Sequence, residues 1–283
     1  MQNKNYTIKT MSRKGIDIAV DWAAKEGWNP GLYDADCYYS ADPNGFLIGL
    51  LDDEPIATIS VVKYSDSFGF LGFYIVKPEY RGQGYGIRIW RAALEYLEGL
   101  NIGLDGVVSQ QENYKKSGFK PAYRNIRYEG VTGGNLHQSA EIVQLSKLPF
   151  DIIDSYDRPF FPSKRSQFIR SWINQPDSHA LGIMQNGKLA GYGVIRPCRS
   201  GYKIAPLFAE NSQLADSLFL AFTTRVKQSE PVFLDIPETN QAALILADRH
   251  NMKVSFETVR MYTGVVPNMP LNRIFGVTSF EIG

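Results

Sequence analysis

The sequence predicts a mixed α+β protein made of two copies of one domain, residues 1–147 and 148–283. Three observations carry this. Short apolar runs bounded by turn residues alternate with segments of helical periodicity, the pattern of strands and helices that share a layered core. The same order of elements is met twice along the chain. Like residues also recur at a fixed spacing: Lys120 and Lys253, Tyr123 and Phe256, Ile126 and Val259, and Arg127 and Arg260 all stand 133 residues apart, the mark of an internal duplication. The boundary falls near Leu148-Pro149, and nothing there has the composition of a flexible linker, so two closely packed domains are expected.

In the first copy, Ser12 to Trp28 reads as an amphipathic helix with Ile16, Ala19, Val20 and Ala23 on one side, closed by Asn29-Pro30-Gly31. Phe46 to Leu51 and Ile56 to Lys63 are strand-like and flank Asp52-Asp53-Glu54-Pro55, so they form a hairpin. Leu71 to Val76 is a third apolar run, stopped at Lys77-Pro78 because a residue before proline avoids helical angles. From Gly84, residues Trp90, Ala93, Leu94 and Leu97 recur at helical spacing as far as Gly99, and Gly103 to Val108 follows as a strand. In the second copy, Ala180 to Met184 and Leu189 to Ile195 flank Gln185-Asn186-Gly187-Lys188, a strong hairpin turn. A strand over Tyr202 to Phe208, a helix with Leu214, Leu218, Ala221 and Phe222 on one face, and a strand over Val232 to Ile236 complete it.

Bulk properties narrow the function. The 283 residues are 44% hydrophobic, enough to fill two cores. With 30 basic and 29 acidic residues, the chain lacks the field that gathers nucleic acid or anionic lipid. No run approaches the roughly 18 apolar residues of a membrane span, and the polar start from Met1 to Thr10 predicts no secretory signal. Cys37 and Cys198 are the sole cysteines, which suits a reducing cytoplasm and offers neither a disulfide framework nor a zinc set. His137, His179 and His250 show no metal spacing, so no metal is expected. A Gly-x-Ser-x-Gly hydrolase elbow is absent.

The sharpest local signal is Arg81-Gly82-Gln83-Gly84-Tyr85-Gly86, between a strand and a helix. Glycines there let the backbone approach a ligand and turn N–H groups inward, and the helix start adds about half a positive charge. Together they suit a pyrophosphate, with Arg81 able to add a forked contact. The alternative is a glycine-rich turn that merely joins strand to helix. A P-loop would need Lys and then Ser or Thr after its last glycine, but Ile87 follows Gly86; a Rossmann fingerprint would need its third glycine at Ile87.

At these residues the sequence resembles the GNAT acyltransferase family, whose signature is Gln or Arg, two residues, Gly, one residue, then Gly or Ala. Arg81, Gly84 and Gly86 match it, and Tyr74-Ile75-Val76-Lys77-Pro78-Glu79-Tyr80 is similar to the family's approach to the loop. A second family pattern, Tyr, three residues, then Gly-Phe, stands as Tyr114 to Phe119, with Val107 and Gln110 where the family has Asn and Ala. The resemblance implies tandem GNAT-like domains, each a mixed, mostly antiparallel sheet flanked by helices. It implies acetyl-CoA as cosubstrate, with the pantetheine arm along Tyr74, Ile75 and Val76 and the diphosphate on residues 81–86. A backbone N–H near Ile75 or Val76 then faces the thioester oxygen, and Tyr114 is the general acid toward the leaving thiolate. An acceptor base is expected among carboxylates such as Asp34, Asp36, Glu79 or Asp105.

The second copy departs from these patterns. Ala209-Glu210-Asn211-Ser212-Gln213 has no glycine and carries an acid, the position of Tyr114 is taken by Ala247, and Gly-Phe becomes Asn251-Met252. It resembles the degenerate C-terminal domain of tandem GNAT proteins, left to wall the acceptor pocket or to form a contact such as that of a homodimer. The whole reads as an N-acetyltransferase acting on a small-molecule or peptide amine. A non-catalytic acyl-CoA-binding sensor or assembly module would use the same loop, but retention of Tyr114 in one copy and its loss in the other favours the enzyme.

Overall fold

A computed structural model describes residues 5–133 and 141–283, so the His137 considered above and the first residues of the chain lie outside the described residues. The strands are β1 Tyr6–Thr10, β2 Phe46–Leu51, β3 Glu54–Lys63, β4 Phe68–Val76, β5 Asn101–Val107 and β6 Lys120–Val131. The remaining strands are β7 Glu141–Gln144, β8 His179–Gln185, β9 Lys188–Pro197, β10 Tyr202–Ala209, β11 Pro231–Pro237, β12 Lys253–Tyr262 and β13 Ile274–Gly276. The helices are α1 Arg13–Lys25, α2 Asp34–Ala41, α3 Tyr85–Tyr96, α4 Gln111–Lys115, α5 Phe150–Asp157, α6 Ser166–Trp172, α7 Ser212–Thr223 and α8 Gln241–Arg249.

The mixed α+β class holds, and the sheet is mostly antiparallel, with parallel pairing between β4 and β5 and between β10 and β11. The predicted apolar face of α1 is buried, and Ser12 caps the helix by accepting from the Gly15 N–H. Both predicted hairpins close through two residues with positive φ, Asp52-Asp53 and Asn186-Gly187, the turn geometry that follows strand twist. The sequence reading missed β1, whose Tyr-Thr-Ile-Lys-Thr is half polar because it is an edge strand paired to β2 alone. It also missed α2, which shows no apolar stripe because it buries Asp34 along with Ala35, Cys37 and Tyr38.

All the strands join one 13-stranded sheet in the order β1-β2-β3-β4-β5-β12-β6-β11-β10-β9-β8-β7, with β13 beside β10. The order is symmetric about its middle, but the two central strands have changed places. Strand β12 lies between β5 and β6, and β6 lies between β12 and β11. Each sequence half therefore completes its sheet with a strand of the other, β12 for the first and β6 for the second. A matched pair of buried forks ties the exchanged strands down. Arg127 on β6 grips Asp235 on β11 (Nε–Oδ1 2.6 Å, a second amino nitrogen to Oδ2 2.7 Å), and Arg260 on β12 grips Asp105 on β5 (2.9 and 2.6 Å). A third fork, Arg196 on β9 to Asp34 on α2 (2.7 and 2.9 Å), links the halves on one face. The largest buried cluster follows the same plan, joining Ile16, Tyr38 and Phe73 to Trp172, Tyr192 and Phe280.

The two halves use the space beside their fourth strands differently. In the second half, β13 fills the space between β10 and β11: it pairs with Leu207 and Phe208, and the Val277 N–H donates to the Asp235 carbonyl on β11 (2.8 Å). The start of α7 is capped internally, because the Asn211 side chain accepts from the Leu214 N–H (3.0 Å). Among the described residues, no equivalent strand stands beside β4, and α3 has no side-chain cap.

Burial alone would raise the pKa of Asp235, but Arg127 reverses this and holds it below the ordinary carboxylate value; Arg196 does the same for Asp34. A carboxyl depressed in the folded state adds stability above its unfolded pKa of about 3.9, and loses it as pH falls through the lower folded value. Asp235→Asn leaves Arg127 buried without its counter-charge and should cost about 3 kcal/mol in urea unfolding at pH 7. The variant should also lose less stability than the parent between about pH 4 and pH 2; superimposable unfolding curves would rule out the clamp.

Candidate active site

Strands β4 and β5 pair only from Phe68–Asn101 to Leu71–Leu104, and beyond that point they diverge. The cause lies on the other side of β4. Between the pairs Thr58–Ile75 and Ser60–Gly72, two residues of β4, Phe73 and Tyr74, oppose the single residue Ile59 of β3. Phe73 takes a φ of 46° at this bulge. An extra residue in one strand bends it, and here the bend carries the end of β4 away from β5. A cavity of ≈ 850 Å³ occupies the divergence. The Lys77 N–H donates to the Ile56 carbonyl on β3 (3.0 Å), so alternation along the strand turns the Ile75 N–H toward β3 and the Val76 N–H into the gap.

The glycine loop closes one end of this cavity. A short 3-10 turn at Pro78–Tyr80 leads to Arg81, and Gly82 and Gly84 then adopt φ values of 74° and 85°, which L side chains rarely tolerate. The first N–H groups of α3 have no partner within the helix and, among the described residues, no side-chain cap, and Gly84, Gly86 and Ile87 of this segment line the cavity. Gly86 is needed for a different reason: a Cβ there would stand 2.7 Å from the Tyr74 hydroxyl and 3.1 Å from Val76. The Arg81 guanidinium is anchored, donating to the Val76 carbonyl (2.8 Å) and pairing with Glu26. Gln83 and Tyr85 lie outside the cavity lining. Gln83 donates to the Glu79 carbonyl (2.7 Å), and the Tyr85 ring packs 5.0 Å from Tyr6.

Tyr114 lines the cavity beside β5, and the residues around it explain its motif. Helix α4 ends as Gly118 turns to a φ of 88°, and the Phe119 N–H returns to the Tyr114 carbonyl (3.3 Å). Phe119 then enters the core, where its ring and that of Tyr114 flank Trp90 at 6.0 and 5.6 Å. Gly106 supplies the seat, since a Cβ there would fall 2.2 Å from the Tyr114 ring. Burial, with a smaller contribution from Tyr74, pushes the Tyr114 phenol up to about 12, so it keeps its proton at neutral pH.

The four carboxylates considered from sequence are scattered. Asp34 is fully buried in its fork with Arg196 and also accepts from the Gly31 N–H (2.8 Å), away from the cavity lining. Asp36 is exposed and pairs with Arg13, and Glu79 is exposed outside the lining. Asp105 does line the cavity, but Arg260 and Asn125 (2.7 Å) occupy its carboxylate. Burial lifts its pKa even against the pull of those partners.

The far end of the cavity is built by residues that sequence reasoning did not connect with it. Phe256 and Thr258 arrive on the exchanged strand β12, and Phe280 and Glu281 on the tail after β13, facing Trp28 and Phe73 of the first half. The tail lies close: a Cβ at Gly72 would stand 2.1 Å from the Glu281 carbonyl oxygen. In the sequence Phe256 stands out only as the repeat partner of Tyr123, and no motif singles out Phe280 or Glu281. Elsewhere, His250 bonds Asp216 (2.7 Å) against Phe219, and among the described residues no group of His, Cys, Asp and Glu is placed to hold a metal. No described helix is long and apolar enough to cross a membrane.

Comparison with known proteins gives a consistent picture. A family model described as the acetyltransferase (GNAT) family matches residues 16–119, and one described as an acetyltransferase (GNAT) domain matches residues 153–276. Holothin acyltransferase from Pseudoalteromonas sp. (strain SANK 73390) is 30% identical over 282 residues, spanning 100% of this chain and 96% of that protein. Among solved structures, a candidate acetyltransferase from Pyrococcus horikoshii superposes with a TM-score of 0.84 at 21% identity, covering 100% of this chain and 97% of that one. A tandem GNAT protein from the clavulanic acid biosynthesis pathway covers 93% of this chain and 100% of its own, with a TM-score of 0.65 at 10% identity. The first shares the fold of the whole chain and the second that of 93% of it.

The setting of Tyr114 can be tested without a ligand. In a rapid alkaline pH jump, the difference spectrum between the protein and Tyr114→Phe should show the missing phenol ionising at about pH 12. Ionisation near the free value of about 10 would mean that the ring is not buried as described.

Proposed function

We propose that this chain, which belongs to the GNAT acyltransferase family, moves an acetyl or other short acyl group from acyl-CoA to a primary amine by direct attack in a ternary complex. The observation that carries the proposal is the gap between β4 and β5, with an uncapped, glycine-lined helix start at one end and Tyr114 on its wall. The residues fit coenzyme A. Free N–H groups from Gly84 onward suit the diphosphate, with Arg81 beside them, and a narrow cleft along Tyr74, Ile75 and Val76 suits the pantetheine arm. When bound, acyl-CoA supplies the activated thioester. The chain supplies the rest.

The Val76 N–H faces the place where negative charge grows on the thioester oxygen; a fixed donor of this kind contributes roughly 2.7–4 kcal/mol. Tyr114 donates a hydrogen bond to the departing sulfur. A phenol at about 12 holds its proton more firmly than a thiol of about 8.5, so it stabilises the thiolate without giving the proton up completely. Trp28, Phe73, Phe256 and Phe280 give the acceptor end an apolar wall, and the tail that closes over β4 suits a small molecule better than an extended peptide. Two free, buried cysteines agree with a cytoplasmic setting.

Thiol release from acetyl-CoA across a panel of primary amines tests the reading. At least one amine should turn over, and Tyr114→Phe should lower kcat by about 100-fold while leaving acetyl-CoA affinity within about twofold. Coenzyme binding with no turnover on any amine would instead make the protein an acyl-CoA sensor. Gly84→Val places a β-branched residue at a φ of 85° and should weaken acetyl-CoA association by at least about tenfold in calorimetry; unchanged heats would refute the loop assignment.

A further inference from the structure

We infer that Glu281, on the tail of the degenerate half, is the group that takes the proton from the attacking amine; the inference rests on the acyl-transfer reading above. After β13 the tail is pinned at several points, two of them in the first half and one in the second. The Ser60 hydroxyl donates to the Glu281 carbonyl (2.8 Å), the Tyr64 hydroxyl to the Ile282 carbonyl (2.8 Å), and Arg165 to the Gly283 carbonyl (3.2 Å). Glu281 is thereby fixed beside the bulge of β4, lining the cavity with Phe280 while only 4% exposed. One carboxylate oxygen accepts from Ser279 (2.6 Å) and Tyr38 (3.3 Å), and the other makes no hydrogen bond among the described residues. This separates it from the cavity's other carboxylates. Asp105 has both oxygens occupied, and Glu26 is paired with Arg81 at the phosphate end.

The charged and titratable groups around Glu281 come from several elements: Tyr38 and the Asp34–Arg196 fork across α2 and β9, Arg127 from β6 paired with Asp235 from β11, and Lys203 from β10. The reaction balances with one carboxylate. An ammonium acceptor gives one proton to Glu281, and its freed lone pair forms the C–N bond. The C–S bond breaks with its electron pair on sulfur, and the second proton lost by nitrogen ends on that sulfur, leaving amide, thiol and a protonated Glu281. The proton then passes to solvent.

The test uses the full chain, acetyl-CoA and the amine with the highest turnover in the panel. Glu281→Gln keeps the shape and the Ser279 contact but cannot take a proton. Its kcat/KM should fall about 100-fold at pH 7 with acetyl-CoA affinity unchanged. Its rate should also keep rising with pH up to the pKa of the amine, where the parent levels off earlier. A Gln variant that matches the parent in rate and pH profile overturns the inference. Should that variant not fold, Glu281→Ala is assayed with formate: recovered turnover supports the role, and no recovery overturns it. Failure of every amine with the parent protein would instead count against acyl transfer itself, so the two readings fail separately.

Discussion

The exchange of β6 and β12, and the Arg–Asp forks that hold it, is the constraint on which the rest of the molecule depends. Burying a guanidinium and a carboxylate costs several kcal/mol each, and that cost is offset only when the fork is met squarely. Arg127 and Arg260 meet this condition through two bonds apiece. A shift of one residue in either strand would turn its arginine to the opposite face of the sheet and strand a buried charge. The forks therefore act on specificity more than on net stability: they admit one register for the crossing, and that register fixes which residues of the second half reach the first.

Two of those residues are Phe256 and Thr258, three and five positions along β12, and both face the cavity. Without the exchange, β5 would meet β6 of its own half, and this wall of the cavity would be drawn from a different strand. The same crossing explains why the halves share a core instead of meeting at a polar interface. The duplication doubled a domain, but the exchange made a single body from the two copies.

Much of this was legible in the sequence, and the pattern of what was not is physical. Helix faces and hairpins depend on local periodicity and turn chemistry, so α1, α3 and the β2–β3 and β8–β9 hairpins could be read from the residues that form them. The Arg81 loop and Tyr114 were legible because each lies in a short motif, and the structure adds why: Gly86 and Gly106 each make room for a tyrosine. Strand exchange has no local signature, since β6 would show the same alternation beside either partner. The repeat did preserve Arg127 and Arg260 at one spacing, but their partners Asp105 and Asp235 are 130 residues apart, off the common offset, and so escaped notice. Glu281 was invisible for a simpler reason: a tail is placed by what it packs against, not by its own pattern.

The two gaps, one filled and one open, differ in how their backbone groups are met. Beside β10, the backbone groups that a ligand could satisfy are met from within, by β13 and by the Asn211 cap, a contribution of about 1 kcal/mol for the cap alone. Beside β4, no such strand or side-chain cap is present among the described residues, and the first half forgoes that stability. An uncapped helix start and a bulged strand are local costs, tolerable because a ligand can offset them and because the shared core holds the element ends in place. The segment that plugs the second gap then runs directly into the mouth of the first. Filling the gap beside β10 and walling the one beside β4 are thus consequences of one stretch of chain, residues 274–283, which ties the second copy to the first.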